Sequence, residues 1–130
     1  MKTYTDLSQA LKEQDKVQVL DLSNQGLTEI PVEIFQLTSL TELGLASNQI
    51  GEIPSEIGQL TSLNLAYNQI EVIPSEIGQL TSLTELHLAG NQISVIPTEL
   101  CQLTDLTVLY LSYNQIGEIP TEVGQLTNLE

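Results

Sequence analysis

The stretch Leu40-Thr41-Glu42-Leu43-Gly44-Leu45-Ala46-Ser47-Asn48-Gln49-Ile50-Gly51-Glu52-Ile53-Pro54 decides how this chain folds. Its Leu43-x-Leu45 alternation has the period of a short strand with one buried face, because successive strand side chains point to opposite sides. The chain must then turn within a few residues, and the spacing assigns that bend to Asn48. The Asn48 amide can bond backbone groups in its own turn and in a neighbouring one. Ile53-Pro54 sets an extended segment, since proline lacks the N–H that a helix interior or central strand would need. Outward from here the frame Leu-x-x-Leu-x-Leu-x-x-Asn-x-Ile-x-x-Ile-Pro recurs. Asparagine stands at Asn48, Asn68, Asn91 and Asn114, and proline at Pro31, Pro54, Pro74, Pro97 and Pro120, at intervals of 20 or 23 residues. A degenerate first copy keeps Val17, Leu20, Leu22, Leu27, Ile30 and Pro31, with Gln25 where the asparagine belongs. One such coil cannot bury its own apolar face, so the copies must stack into a parallel sheet. Stacking also aligns Asn48, Asn68, Asn91 and Asn114 into a hydrogen-bonded ladder.

This frame resembles the leucine-rich repeat, specifically the 23-residue kind whose return reads Ile-Pro-x-Glu-Ile-Gly-Gln-Leu, as in Ile73 to Leu80. That kind occurs in bacterial intracellular repeat proteins, in Roco-type GTPase regions and in Ras-associated repeat proteins. The match runs from residue 17 to residue 129. The resemblance implies an α/β leucine-rich-repeat solenoid, right-handed, with a parallel concave sheet, an irregular convex side and an N-terminal helical cap. It implies a binding function without choosing the partner. The expected organisation is a cap over residues 1–16 and an array of five coils over residues 17–130. In the cap, Asp6 is placed to start a helix with Gln9 three positions on. Leu7, Ala10 and Leu11 share one face of residues 7–14.

The copy between Pro54 and Pro74 is three residues short. Leu60-x-x-Leu63-x-Leu65-x-x-Asn68 keeps the strand frame whole, and Leu60 serves two places, so the loss is assigned to the outer return at residues 54–61. An unbroken strand ladder with a pinched outer edge follows; a broken strand with a register slip is the alternative. After Leu126 and Leu129 the sequence given stops at Glu130, where a sixth strand would begin. With no polar capping coil there, the expectation is a longer parent chain, or an end covered by a partner or by a second copy.

Length and charge bound the function. The 130 residues, 41% of them hydrophobic, suit one domain. Seventeen acids against three lysines and no arginine give a net charge of -14, which repels phosphate backbones and anionic headgroups. Nucleic acid and acidic membranes are excluded as partners on that ground. No apolar run approaches the ~20 residues that span a bilayer, and the start, Met1 to Asp6, has no signal-peptide stretch. Cys101 stands alone, which agrees with a reducing compartment, so a cytoplasmic location is expected. There is no glycine-rich phosphate loop, no serine nucleophile column and no His/Cys metal cluster; His87 and Cys101 fall on opposite faces. The chain reads as no enzyme, with neither cofactor nor metal. Glu33, Glu56, Glu76, Glu99 and Glu122 form an acidic column on the outer return. Neighbours ~5 Å apart in water repel by about 0.8 kcal/mol, against about 1.5–3 kcal/mol for each large buried apolar side chain, so packing tolerates the column. Salt or mild acid is expected to raise the melting temperature.

The positions between and beside the strand leucines point onto the concave face. The central column is Asp21, Gly44, Asn64, His87, Tyr110, flanked by Val19, Glu42, Ser62, Glu85, Val108 and by Ser23, Ala46, Ala66, Ala89, Ser112. Just before each asparagine comes Asn24, Ser47, Tyr67, Gly90 or Tyr113. Three of four tyrosines and the only histidine therefore gather on one face of the last three coils. Tyrosine offers a large contact area with few torsions and a polar tip. Tyr67, His87, Tyr110 and Tyr113 are accordingly the expected anchors for a protein partner, with Asn64, Glu85 and Asp21 setting polarity. The acidic balance favours a partner with a basic surface. If its ring is in contact, the single histidine would make binding vary near pH 6 to 7.

Overall fold

Each coil crosses the concave side as a three-residue strand and turns just before its asparagine, or before Gln25 in the first coil; four of the coils then return along the convex side through a short 3-10 helix. In this computed structural model residues 2–53 and 59–128 are described. The strands are β1 (Thr3–Tyr4), β2 (Val19–Asp21), β3 (Glu42–Gly44), β4 (Ser62–Asn64), β5 (Glu85–His87) and β6 (Val108–Tyr110), with one helix, α1 (Leu7–Lys12). They form a single parallel sheet in the order β1-β2-β3-β4-β5-β6, so each strand pairs with its neighbours in sequence. The array is a leucine-rich-repeat solenoid.

The register is that of the repeat. Leu20, Leu43, Leu63, Leu86 and Leu109 lie opposite one another, and all but Leu109 are buried. Glu42 pairs with Ser62 and Ser62 with Glu85, so the ladder runs unbroken through the short coil. The expected pinch on its outer edge falls largely on residues 54–58, outside the described residues. Behind the strands, Ile50, Ile70 and Ile93, then Ile53, Ile73 and Ile96, fill the interior with Leu60, Leu83 and Leu106. Each is worth about 1.5–3 kcal/mol of burial.

The asparagines join successive coils. Asn68 Nδ2 donates to the Leu65 carbonyl of its own turn (3.0 Å) and to the Leu45 carbonyl of the coil before (2.9 Å). Its Oδ1 accepts from the Ile50 N–H at 3.0 Å. Asn48, Asn91 and Asn114 repeat the pattern on Leu22, Leu65 and Leu88. The bend itself sits one residue earlier than the spacing assigned it. Asn24, Ser47, Tyr67, Gly90 and Tyr113 carry positive φ of 58–72°, while the asparagines tie the bend down.

The convex 3-10 helices are Val32–Gln36, Ser75–Gln79, Thr98–Gln102 and Thr121–Gln125. Each follows a proline whose φ lies between -59 and -69°, which starts the turn without an N–H to satisfy. Glu33, Glu76, Glu99 and Glu122 occupy the first turns, at the end of each helix whose free N–H groups favour negative charge. That gives the described part of the acidic column a local reason; Glu56 lies outside the described residues.

The N-terminal segment is more than a helix. Tyr4 pairs with Leu20 in β1, is 4% exposed, and so takes the place of a strand leucine. Gln25 Nε2 reaches the Thr5 carbonyl at 3.1 Å, doing toward this strand what each asparagine does toward the coil before it. Two residues are too few to show alternation, which hid β1 from the pattern. Helix α1 ends at Lys12 rather than residue 14, with Ala10 buried and Leu7 and Leu11 packed on the core. Asp6 caps it by accepting from the Ser8 N–H at 2.9 Å. Gln9 turns forward to Glu13 Oε2 at 2.7 Å instead of closing a capping box with Asp6.

Candidate concave interaction surface

Strand pleating puts the central column, Asp21-Gly44-Asn64-His87-Tyr110, in register across β2 to β6. The face divides into two halves. Toward β6 the aromatic rings stand in solvent: Tyr67 is 57% exposed, Tyr110 53% and Tyr113 80%. The His87 and Tyr110 rings meet edge to face, with centroids 4.9 Å apart and planes at 63°. The Tyr67 ring lies over Gly90, where an added Cβ would collide with it.

Two of these rings stand on strained backbone. Tyr67 and Tyr113 both have φ of 58°, a region costing a side-chain-bearing residue roughly 1–2 kcal/mol. The same turn position carries Asn24 and Gly90 elsewhere, residues that suit it better. The Tyr67 ring recovers part of that cost on Gly90, whereas the Tyr113 ring, 80% exposed, recovers little from the fold, the pattern expected of a side chain kept for contact.

Toward β1 the small central residues leave a hollow of about 260 Å³, lined by Thr3, Val19, Asp21, Glu42, Gly44, Ser62 and Asn64. Asp21 Oδ1 accepts from the Ser23 N–H (3.0 Å) and hydroxyl (2.6 Å), and Asn64 Oδ1 from the Ala66 N–H (3.0 Å). The sequence marks these two for polarity; they also brace the chain as it leaves the strand. Glu85, half-buried, lies in the flanking column beside Ser62 and Val108. Glu42 and Gly44 are the members of this face that side-chain chemistry alone passed over. The signal was Gly44 itself, a missing side chain in a column where every neighbour has one.

Other chemistry is sparse. His87 is on β5, whereas Cys101 is 1% exposed in the convex helix Thr98–Gln102. Burial, then the Glu122 charge, pushes the Cys101 thiol above its ordinary range, away from a nucleophilic thiolate. Among the described residues no three His, Cys, Asp or Glu converge as a metal site, and no helix is long and apolar enough to cross a membrane.

The leucine rich repeat family profile matches residues 15–70 and 58–116. The chain belongs to the leucine-rich repeat family. A leucine-rich repeat protein of Leptospira interrogans superposes on 99% of this chain with a TM-score of 0.93 and 41% identity, the match covering 34% of that protein's chain. The ectodomain of the Arabidopsis thaliana membrane receptor kinase GASSHO1/SCHENGEN3, solved in complex with Casparian strip integrity factor 2, superposes on 98% with a TM-score of 0.80 and 35% identity. There the match covers 16% of the chain. The Drosophila simulans homolog of leucine-rich repeat protein soc-2 is 46% identical over 43 residues, 33% of this chain and 6% of that protein. This leucine-rich repeat chain thus spans about a third or less of each of these relatives.

Proposed function

We propose that this leucine-rich repeat array is a non-catalytic protein-binding module that receives its partner on the concave face. Tyr67, His87, Tyr110 and Tyr113 are the anchors, and Asp21, Asn64 and Glu85 set polarity. The observation that carries the reading is the exposure of Tyr67 and Tyr113 on left-handed backbone, beside the His87–Tyr110 pair. A related ectodomain captured with its factor supports a protein or peptide as the ligand class. The net charge of -14 favours a basic partner met quickly at low salt. A reducing, cytoplasmic setting belongs to the same proposal.

The test is a random-peptide display selection on the immobilised chain. Enriched binders should lose the double variant Tyr110→Ala/Tyr113→Ala by at least about tenfold in affinity. They should keep the control variant Val72→Ser/Val95→Ser, whose residues are also well exposed and lie outside the strands. Binders indifferent to the tyrosine variant would refute the concave reading.

A further inference from the structure

The two halves of the concave face differ in chemistry and are separated by a distance the sheet fixes. The β2–β4 half is a hollow floored by the β2 and β3 backbone at Leu20 and Leu43, with Asp21 and Glu42 on its rim and no side chain at Gly44. A Cβ at Gly44 would sit 3.1 Å from Asp21 Oδ1, so the hollow exists because this residue is glycine. Ser23 holds Asp21 Oδ1, which fixes the carboxylate and leaves its second oxygen to a ligand. Among the described residues no lysine is paired with this rim. Lys2, at the first strand, is turned to Glu13 (3.9 Å) and the Tyr4 ring (4.5 Å), while Lys12 and Lys16 lie in the N-terminal segment. The β5–β6 half offers the His87–Tyr110 edge-to-face pair.

We propose, resting on the concave reading above, that the occupant is an extended peptide segment gripped at two points: an arginine or lysine in the Gly44 hollow and an aromatic side chain on the His87–Tyr110 shelf. Charge complementarity selects the first residue, and a planar guanidinium suits two carboxylates on one rim. Ring stacking selects the second. The separation follows from the strand order. From β3 to midway between β5 and β6 is two and a half inter-strand steps, about 12 Å. An extended chain advances about 3.3 Å per residue, so the basic and aromatic residues should lie three to four positions apart.

The probes are synthetic peptides of a Gly/Ser/Thr host bearing one Arg and one Trp at spacings of two, four and eight, followed by Trp fluorescence. The four-spaced peptide should bind at least about tenfold more tightly than either other peptide. Asp21→Asn/Glu42→Gln should abolish that preference, and Gly44→Ile, which fills the hollow without changing the net charge, should do the same. Circular dichroism confirms that the variants fold. If all spacings bind alike, or Arg→Gln in the peptide changes nothing, while Tyr110→Ala/Tyr113→Ala still removes binding, the two-point grip is overturned and the concave reading stands. If neither the rim nor the tyrosine variants alter peptide binding, both fail.

Discussion

Asn68 shows how much one side chain carries. It is 7% exposed, donates to the Leu45 and Leu65 carbonyls, which Asn48 and Asn91 also reach, and accepts from the buried Ile50 N–H. Asn68→Ala should therefore cost about 3 kcal/mol, read by chemical denaturation. Asn114, whose bonds are only part-buried, should cost at least about 1 kcal/mol less. Tyr113 makes the opposite case. Glycine relaxes the left-handed turn, so Tyr113→Gly should stabilise the chain by about 0.5–1 kcal/mol while weakening capture of any concave ligand. A variant that lost stability instead would mean the ring packs on the fold. The asparagine ladder was legible in the sequence because a polar residue recurring among leucines needs a structural reason. The residue that makes the bend was not, because Asn24, Ser47, Tyr67, Gly90 and Tyr113 share a backbone angle and no chemistry.

At the level of the element, the strands declared themselves and the segments around them did so less. Leucine alternation fixed the register of β2 to β6, including the short coil, since a one-residue slip would turn every leucine outward. β1 escaped notice, and so did the hollow, which is made by what Gly44 lacks. On the convex side the 3-10 helices press closely together. A Cβ at Gly78 would lie 2.9 Å from the Glu99 carbonyl oxygen of the next helix. Gly78→Ala should thus cost about 1–3 kcal/mol by forcing the two backbones apart. Cys101 takes the same place one coil on and is sealed. Its alkylation by iodoacetamide at pH 8 should run about 100-fold slower in the folded chain than in denaturant. Equal rates would show that this return opens freely.

Across the molecule, charge sets how stability answers to solvent. With 17 acids and three lysines, self-repulsion is a property of the folded array more than of the expanded chain. Raising sodium chloride from about 10 to about 200 mM should lift the melting temperature by a few degrees, and an unchanged transition would count against this. Acid acts at Glu13 through its local contacts. The Gln9 amide, and less strongly Lys2, hold its carboxyl below the usual range against the opposing effect of burial. Its contribution is complete above the ordinary carboxylate range and is lost as pH falls through its lowered value. Glu13→Gln should therefore lower the melting temperature at pH 7 and have little effect near pH 3.

Strand order copies chain order, so each strand pairs only with its neighbours in sequence among the described residues. A repeat unit can be duplicated or excised as a cassette, with no distant strand pairing to rewire. The 20-residue coil keeps its strand pairing on both sides, so even the cassette's length can vary without breaking the ladder. Gene duplication between the coils of Gly44 and His87 would thus move the two ends of the concave face apart in steps of about 4.8 Å. Evolution could lengthen the reading frame for a ligand by whole strands while leaving each grip unchanged.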